Sequence, residues 1–306
     1  MIPEPFGQYG SPTHVVAHLS DTHLLAHDAR LYGRVDTDAT VLGAVDRLRA
    51  VGSEIDALVI TGDLTDRGEQ NAYRRLRGLV QPLADELGAE LFWVMGNHDA
   101  RPAFRSALWD EPAPSRTPVD YVREVRGLRV IVLDTSVPGY HHGDLDDAQL
   151  QWLAGILSEP APRGSLLALH HPPLPTPLSA MQILELERQD RLAAVVAGSD
   201  IRAILGGHLH YASTSMFEGI PVSVAAATCY TMDLGTSPGV LSGVDAGQSI
   251  NLVHVYEDRV VHSVLPLAPG PVVTSFGGDF IERMSALTPE GRRDAFSRQP
   301  GAASDD

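Results

Sequence analysis

A chain of 306 residues with 43% hydrophobic content is long enough for one large domain or two small ones and can bury a sizeable core. Its 39 acidic against 23 basic side chains leave a net charge of −16, which argues against a general binder of nucleic-acid polymers, whose surfaces carry a basic footprint. An acidic chain that handles anions needs a local positive source, and metal ions are the obvious one.

The single cysteine, Cys229, excludes an intramolecular disulfide and reads as a small buried apolar residue. Residues 1–12, with Pro3, Pro5, Gly7, Gly10 and Pro12, read as a loose N-terminal arm. They lack the basic start and apolar run of a signal peptide. No window approaches the ~18 consecutive apolar residues that an integral membrane segment requires. A cytoplasmic location is the expectation.

The elements then follow in βαβ order. Val15 to Leu19 reads as a strand ending at Ser20-Asp21-Thr22-His23, and residues 37–51 place Val41, Leu42, Val45 and Leu48 at helical spacing. Ala57 to Ile60 is a strand ending at Thr61-Gly62-Asp63, and 69–87 a helix burying Leu76, Leu79, Val80, Leu83 and Leu87. Leu91 to Met95 delivers Gly96-Asn97-His98-Asp99, where Gly96 is expected to make a sharp turn. Leu128 to Leu133 runs into Asp134-Thr135-Ser136, and 147–157 is a helix. Leu166 to Leu169 ends at His170-His171-Pro172-Pro173. A helix over 184–196 precedes Ile201 to Leu205, which ends at Gly206-Gly207-His208-Leu209-His210. Strands at 222–227, 252–256 and 260–265 follow without helices, the last two as a hairpin. The alternation predicts an α/β (α+β) domain over 13–267, with 268–306 a partly mobile C-terminal extension carrying a weak helix over 282–296.

Five strand ends carry Asp21 with His23, Asp63, Asn97 with His98, His170, and His208 with His210. All are oxygen or imidazole donors, which suit hard and borderline metals such as Mn, Fe, Zn or Co. In Asp-x-His and His-x-His, side chains at i and i+2 of an extended segment point the same way, so both can reach one site. One carboxylate can bridge two ions, and Asp63 on its tight Gly62 turn is the central candidate. Singly, each motif reads as turn or loop chemistry. Jointly, donors at every site-bearing strand end, in an order compatible with one crevice, point to a two-metal centre.

As a set, Asp21-x-His23, Gly62-Asp63, Gly96-Asn97-His98-Asp99, His170 and Gly207-His208-x-His210 resemble the signature of the calcineurin-like metallophosphoesterases across residues 15–212. Leu19-Ser20-Asp21-Thr22-His23-Leu24, Gly62-Asp63-Leu64-Thr65-Asp66, Ala168-Leu169-His170-His171-Pro172-Pro173 and Leu133-Asp134-Thr135-Ser136-Val137-Pro138-Gly139 resemble the class III cyclic-nucleotide phosphodiesterases within that superfamily. The resemblance implies a four-layer αββα sandwich, the metallophosphoesterase fold. It implies two divalent or trivalent ions, iron with manganese or zinc. Asp21, His23, Asp63 and His210 would hold one, and Asp63, Asn97, His170 and His208 the other. The implied reaction is hydrolysis of 3′,5′-cAMP, and of 2′,3′-cyclic nucleotides, by in-line attack of a metal-bridging hydroxide.

His98, not needed as a ligand, would stabilise charge or protonate the leaving oxygen, while Asn97 and His208 would also meet the substrate. Asp99 is expected to orient His98, and equally to cap a helix over 101–109. A homodimer is the expectation from resemblance and from the frequency of two-fold oligomers.

Other readings remain. Gly62-Asp63-Leu64-Thr65-Asp66-Arg67-Gly68 also resembles serine/threonine phosphatases, but those carry Glu after Asn-His where Asp99 stands, and Arg67 reads as a surface residue. Purple acid phosphatases place a Tyr ligand where Asp66 stands. A glycerophosphodiester or phosphoprotein substrate is the alternative within enzymes, and a non-catalytic metal-binding scaffold the alternative outside them. His141 and His142 read equally as pocket lining or exposed loop, and His171 as a neighbour of the site or a structural residue.

Overall fold

Alternation along single strands lets each strand serve two layers. A computed structural model describes residues 6–298 apart from 28, 52, 53, 113, 114 and 238. Pro3 and Pro5 of the expected arm, and the last residues of the expected extension, lie outside the described residues. In β1 (His14–Leu19), Val15, Ala17 and Leu19 join a core shared with helices, while Val16 faces the opposite sheet. β2 (Ala57–Thr61) and β3 (Glu90–Val94) repeat this, Leu58, Ile60, Leu91 and Trp93 turning to the helices and Ala57, Val59, Phe92 and Val94 inward.

The helices of this half are α1 (Thr37–Ala50), α2 (Gln70–Leu87) and α3 (Arg101–Leu108). The Asp36 carboxylate caps α1 by accepting from Ala39 N at 3.1 Å. The second half comprises β4 (Tyr121–Val125), β5 (Leu128–Val132), α4 (Asp147–Leu157), β6 (Ser165–Ala168), α5 (Gln189–Val196), β7 (Ile201–Gly206), β8 (Ser213–Phe217) and β9 (Ile220–Val224). A small pair, β10 (Thr231–Met232) and β11 (Gly243–Val244), precedes the hairpin β12 (Ser249–Val255) and β13 (Val260–Pro266).

One sheet has the order β13-β12-β1-β2-β3, with β1 to β3 parallel. The other has the order β4-β5-β6-β7-β9-β8, its four central strands parallel. Their inner faces meet in a dry core of Val59, Phe92, Val130, Leu166, Leu205 and Val253, and Ile131, Leu167 and Ile204 turn outward to Leu153 of α4 and Leu192 of α5. Helices, sheet, sheet and helices form four layers. Both sheets run their parallel strands towards the loops that hold the candidate donors.

Four strands lie where none was expected: the two-residue pair β10 and β11, and the edge strands β4 and β8. Both edge strands carry only broken apolar patterns, Tyr121, Val122 and Val125 being interrupted by Arg123-Glu124 in β4, and Met216-Phe217 following three hydroxyl residues in β8. The helix expected over 184–196 starts only at Gln189, because Arg188, its N-cap, takes a left-handed φ of 49°, while a separate short turn over Met181–Leu184 ends at Glu185. Among the described residues no helix is long and apolar enough to cross a membrane.

By its contacts the chain divides into two compact units, 13–268 and a second drawn from 1–12 and 269–306. The arm and the extension, separate in the sequence reading, thus meet in one unit. It contains α6 (Gly278–Ser285) and α7 (Pro289–Arg292), with a further turn over Arg293–Ser297 where one weak helix was expected. The Arg292 guanidinium lies 4.5 Å from the Phe6 ring centre there.

Candidate metal centre

The candidate donors gather at the ends of β1, β2, β3, β6 and β7. Ligand atoms of Asp21, His23, Asp63 and His210 all lie within 4.8 Å of one another. His170 Nε2 stands 3.4 Å from Asp63 Oδ2 and 3.2 Å from Asn97 Oδ1. The His208 ring centre is 5.1 Å from that of His170. Asp21, His23, Asp63, His170, His208 and His210 are buried, whereas Asn97, His98 and Asp99 are half-buried.

The backbone that presents these groups is not extended. Asp21, His23, Asp63, His208 and His210 all take positive φ, between 44° and 69°. Such geometry costs about 1–3 kcal/mol per residue and persists only where its surroundings enforce it. The i, i+2 pairs therefore converge through left-handed turns rather than through an extended chain. Gly96 opens the expected turn, its carbonyl accepting from Asp99 N at 3.2 Å, but does so without a left-handed φ. Glycine is required there for space: an added Cβ would fall on the Asp63 backbone nitrogen and carboxylate. Gly207 is alike, since a Cβ there would strike Ser20 Oγ.

Hydrogen bonds on the far side of each ring decide what the near side offers. His170 Nδ1 donates to the Thr61 carbonyl at 2.7 Å and His210 Nδ1 to the Tyr230 carbonyl at 3.0 Å. His23 Nδ1 faces Asp66 Oδ1 at 3.1 Å. Nε2 of each neutral ring is then a bare lone pair. His23 Nε2 looks at Asp63 Oδ2 from 3.4 Å, and His210 Nε2 at Asp21 Oδ1 from 3.3 Å. Acceptors facing acceptors repel unless a cation lies among them. Asp21 Oδ1, His23 Nε2 and His208 Nε2 are buried with no hydrogen-bond partner, the condition a metal would relieve.

The residues fit a metal of oxygen and nitrogen preference. Protons do the same work when no cation is bound. Burial alone would lower both rings, yet the Asp63 charge pushes His170 up to about 9, and Cys229 with Asp21 pushes His210 up to about 10. Burial would raise Asp63, but His170 and His23 hold it well below the usual carboxylate range.

Asp99 departs from both expected roles. The N-cap of α3 is Ala100, without a side-chain cap bond. The carboxylate instead accepts from Gly96 N at 2.9 Å, Leu64 N at 3.1 Å, Thr65 N at 3.2 Å and Tyr73 OH at 2.8 Å. It ties the Asp63 loop to the Asn97 loop, and burial with the Asp63 charge pushes it up to about 7. The orientation of His98 falls to Asp66, whose carbonyl accepts from His98 Nδ1 at 2.8 Å. Asp66 therefore touches both His23 and His98. Its place at the end of Gly62-Asp63-Leu64-Thr65-Asp66 was the available signal, but the motif gave Asp66 no role of its own beyond standing where a Tyr ligand would.

His141 and His142 divide. His141 lies against Asn97 and His98, its ring centre 5.0 Å from that of His98. His142 faces Glu187 at 4.0 Å, outside the cluster. Arg67 is exposed beside Asp66. Cys229 is buried as expected, with its Sγ 3.9 Å from His210 Nδ1.

A family model described as calcineurin-like phosphoesterase matches residues 14–212. A cAMP/cGMP dual specificity phosphodiesterase of Mycobacterium tuberculosis is 55% identical over 269 residues, covering 88% of this chain and 84% of that protein. A 3′,5′-cyclic adenosine monophosphate phosphodiesterase of Pseudomonas aeruginosa is 31% identical over 235 residues, covering 76% of this chain and 83% of that one. Among solved structures, a dimetal phosphatase from Danio rerio aligns with a TM-score of 0.59 at 16% identity, covering 84% of this chain and 98% of its own. A purple acid phosphatase from yellow lupin aligns with 0.61 at 13% identity, covering 88% and 54% respectively. At such identities these two speak for the fold alone.

Proposed function

The chain belongs to the calcineurin-like phosphoesterases, and on that premise we propose that it hydrolyses the cyclic phosphodiester of 3′,5′-cyclic nucleotides to nucleoside monophosphates. The observation that carries the substrate class is the 55% identity, across 88% of this chain, to a phosphodiesterase named for cAMP and cGMP. 2′,3′-Cyclic nucleotides are further substrates to test.

Asp21, His23, Asp63 and His210 would hold one metal ion, and Asp63, Asn97, His170 and His208 the other. When bound, the two ions would supply Lewis acidity to the phosphoryl oxygens and acidify water. The chain's own contribution lies in orientation and proton traffic. His98 is pinned twice, by its backbone N–H donating to Asp63 Oδ1 at 2.8 Å and by Nδ1 donating to the Asp66 carbonyl. With Nδ1 donating, Nε2 of the neutral ring is a bare lone pair facing the site, and the ring gives a proton from Nε2 to the leaving ribose oxygen only after taking up a second proton. Burial, partly countered by Asp63, keeps the ring below its ordinary pKa.

Iron paired with manganese or zinc, a homodimer and a cytoplasmic location belong to the same proposal, and the all-oxygen-and-nitrogen donor set supports the metals. The deciding experiment is a substrate panel with Mn2+: cAMP, cGMP, 2′,3′-cAMP, a glycerophosphodiester and a phosphopeptide. Cyclic nucleotides should be cleaved fastest. Faster cleavage of the phosphopeptide or the glycerophosphodiester would overturn the substrate assignment.

A further inference from the structure

The Asn97 side chain has two different ends. Its Oδ1 lies 3.2 Å from His170 Nε2, and its Nδ2 lies 2.8 Å from His141 Nδ1. An amide NH2 can only donate, so His141 Nδ1 accepts and the ring carries its proton on Nε2. Among the described residues Nδ2 has no other partner. Rotated by half a turn, the amide would aim its NH2 at the His170 lone pair and lose its capacity as an oxygen ligand. We propose that His141 is a positioning residue: it holds the Asn97 carboxamide with its oxygen turned towards the metal centre. The inference rests on the reading of Asn97 as a ligand.

His141 is itself exposed but anchored from below. Its backbone carbonyl accepts from Nε2 of buried His171 at 3.1 Å. With Nε2 donating, His171 Nδ1 accepts from Thr135 Oγ1 at 2.8 Å. Gly143 makes room for this arrangement, because a Cβ there would come within 2.5 Å of the His171 ring. A chain of contacts therefore runs from Thr135 after β5, through His171 after β6, to His141 and on to Asn97 after β3. It lets the second sheet set the angle of a ligand borne by the first. The outer partners of metal ligands act in this way, by fixing which atom faces the ion.

The test is a titration of the metal-stripped full chain with Mn2+, by calorimetry and by the electron paramagnetic resonance of the bound ions. His141→Ala should weaken the binding of one of the two ions by about 10- to 100-fold, the effect typical of losing such a partner, and leave the other unchanged. His141→Asn places an oxygen acceptor where Nδ1 stood and should restore the parent behaviour. The backbone carbonyl that His171 uses is present in every variant, so the loop keeps its anchor. If His141→Ala binds both ions as tightly as the parent, or if His141→Asn is as weak as His141→Ala, the positioning role is wrong. Asn97→Ala separates the two layers of reasoning. Should it keep both ions, the ligand assignment falls and the inference with it; should it lose one while His141→Ala loses none, the inference alone falls.

Discussion

The two sides of the metal centre are built on different terms. On the inner side Asp21, Asp63, His23, His170, His208 and His210 are buried, and all but His170 are held in left-handed backbone. On the outer side Asn97, His98 and His141 are half-buried or exposed, and their rings and amide are held by single hydrogen bonds. The inner side is where charge must be gathered and kept from repelling itself. The outer side is where a substrate has to enter and a proton has to move. Rigidity and access are thus divided between two faces of one cluster.

The largest effect should come from the inner side. Asp63→Ala removes the carboxylate that both His23 and His170 face. It should abolish stoichiometric binding of two ions, read by metal analysis, and lower turnover by more than the about 100-fold that loss of an outlying partner brings. Retention of two ions would break the contrast between the faces. On the outer side His98→Ala should keep both ions and lose about 10²- to 10⁴-fold in kcat, the range of a positioned acid or base. Loss of metal in that variant would show that the outer face is not separable from the inner one.

Asp99 lies between the faces and should sharpen the boundary. Asp99→Asn places an NH2 against backbone donors that now meet a carboxylate, and should cost about 1–3 kcal/mol in denaturant unfolding. Both ions should still bind at saturating metal. If stability is unchanged while metal affinity collapses, Asp99 belongs with the ligands rather than with the scaffold.

The smallest effect concerns Asp120, which accepts from Asp134 N at 2.8 Å and Gln149 Nε2 at 3.0 Å below the outer loop. Burial pushes it up to about 6. The folded chain then keeps a proton that the unfolded chain has released between about pH 4 and 6, so stability falls as pH rises through that window. Asp120→Asn should remove this fall, gaining on the order of 1 kcal/mol over the parent at pH 7 relative to pH 4 after allowance for solvent screening. A constant difference across pH, measured by chemical unfolding, would place the charge elsewhere.

Much of the fold was legible. The alternation of apolar strands with amphipathic helices over 15–205 located β1, β2, β3, β5, β6 and β7, because each buries an apolar run on both faces. β4 and β8 stayed hidden because edge strands need little apolar sequence. The donor residues were legible as a set of strand ends. The reason offered for the paired motifs was not right: they converge through left-handed backbone rather than an extended chain. Gly96 opens its turn without a left-handed φ and is needed there for space.

Residue type and local spacing were enough to name oxygen and imidazole donors at five strand ends, since both are short-range properties written within a few residues. Which ring nitrogen carries a proton, which amide atom faces inward, and which group steadies His98 were decided only by tertiary contacts. Thr61 meets His170, Asp66 meets His98, Asp99 meets Leu64, and His141 meets Asn97. Each of these pairs joins segments that are distant along the chain. No periodicity spans that separation, because a single hydrogen bond's direction depends on where neighbouring strand-end loops and the two sheets come to rest against each other.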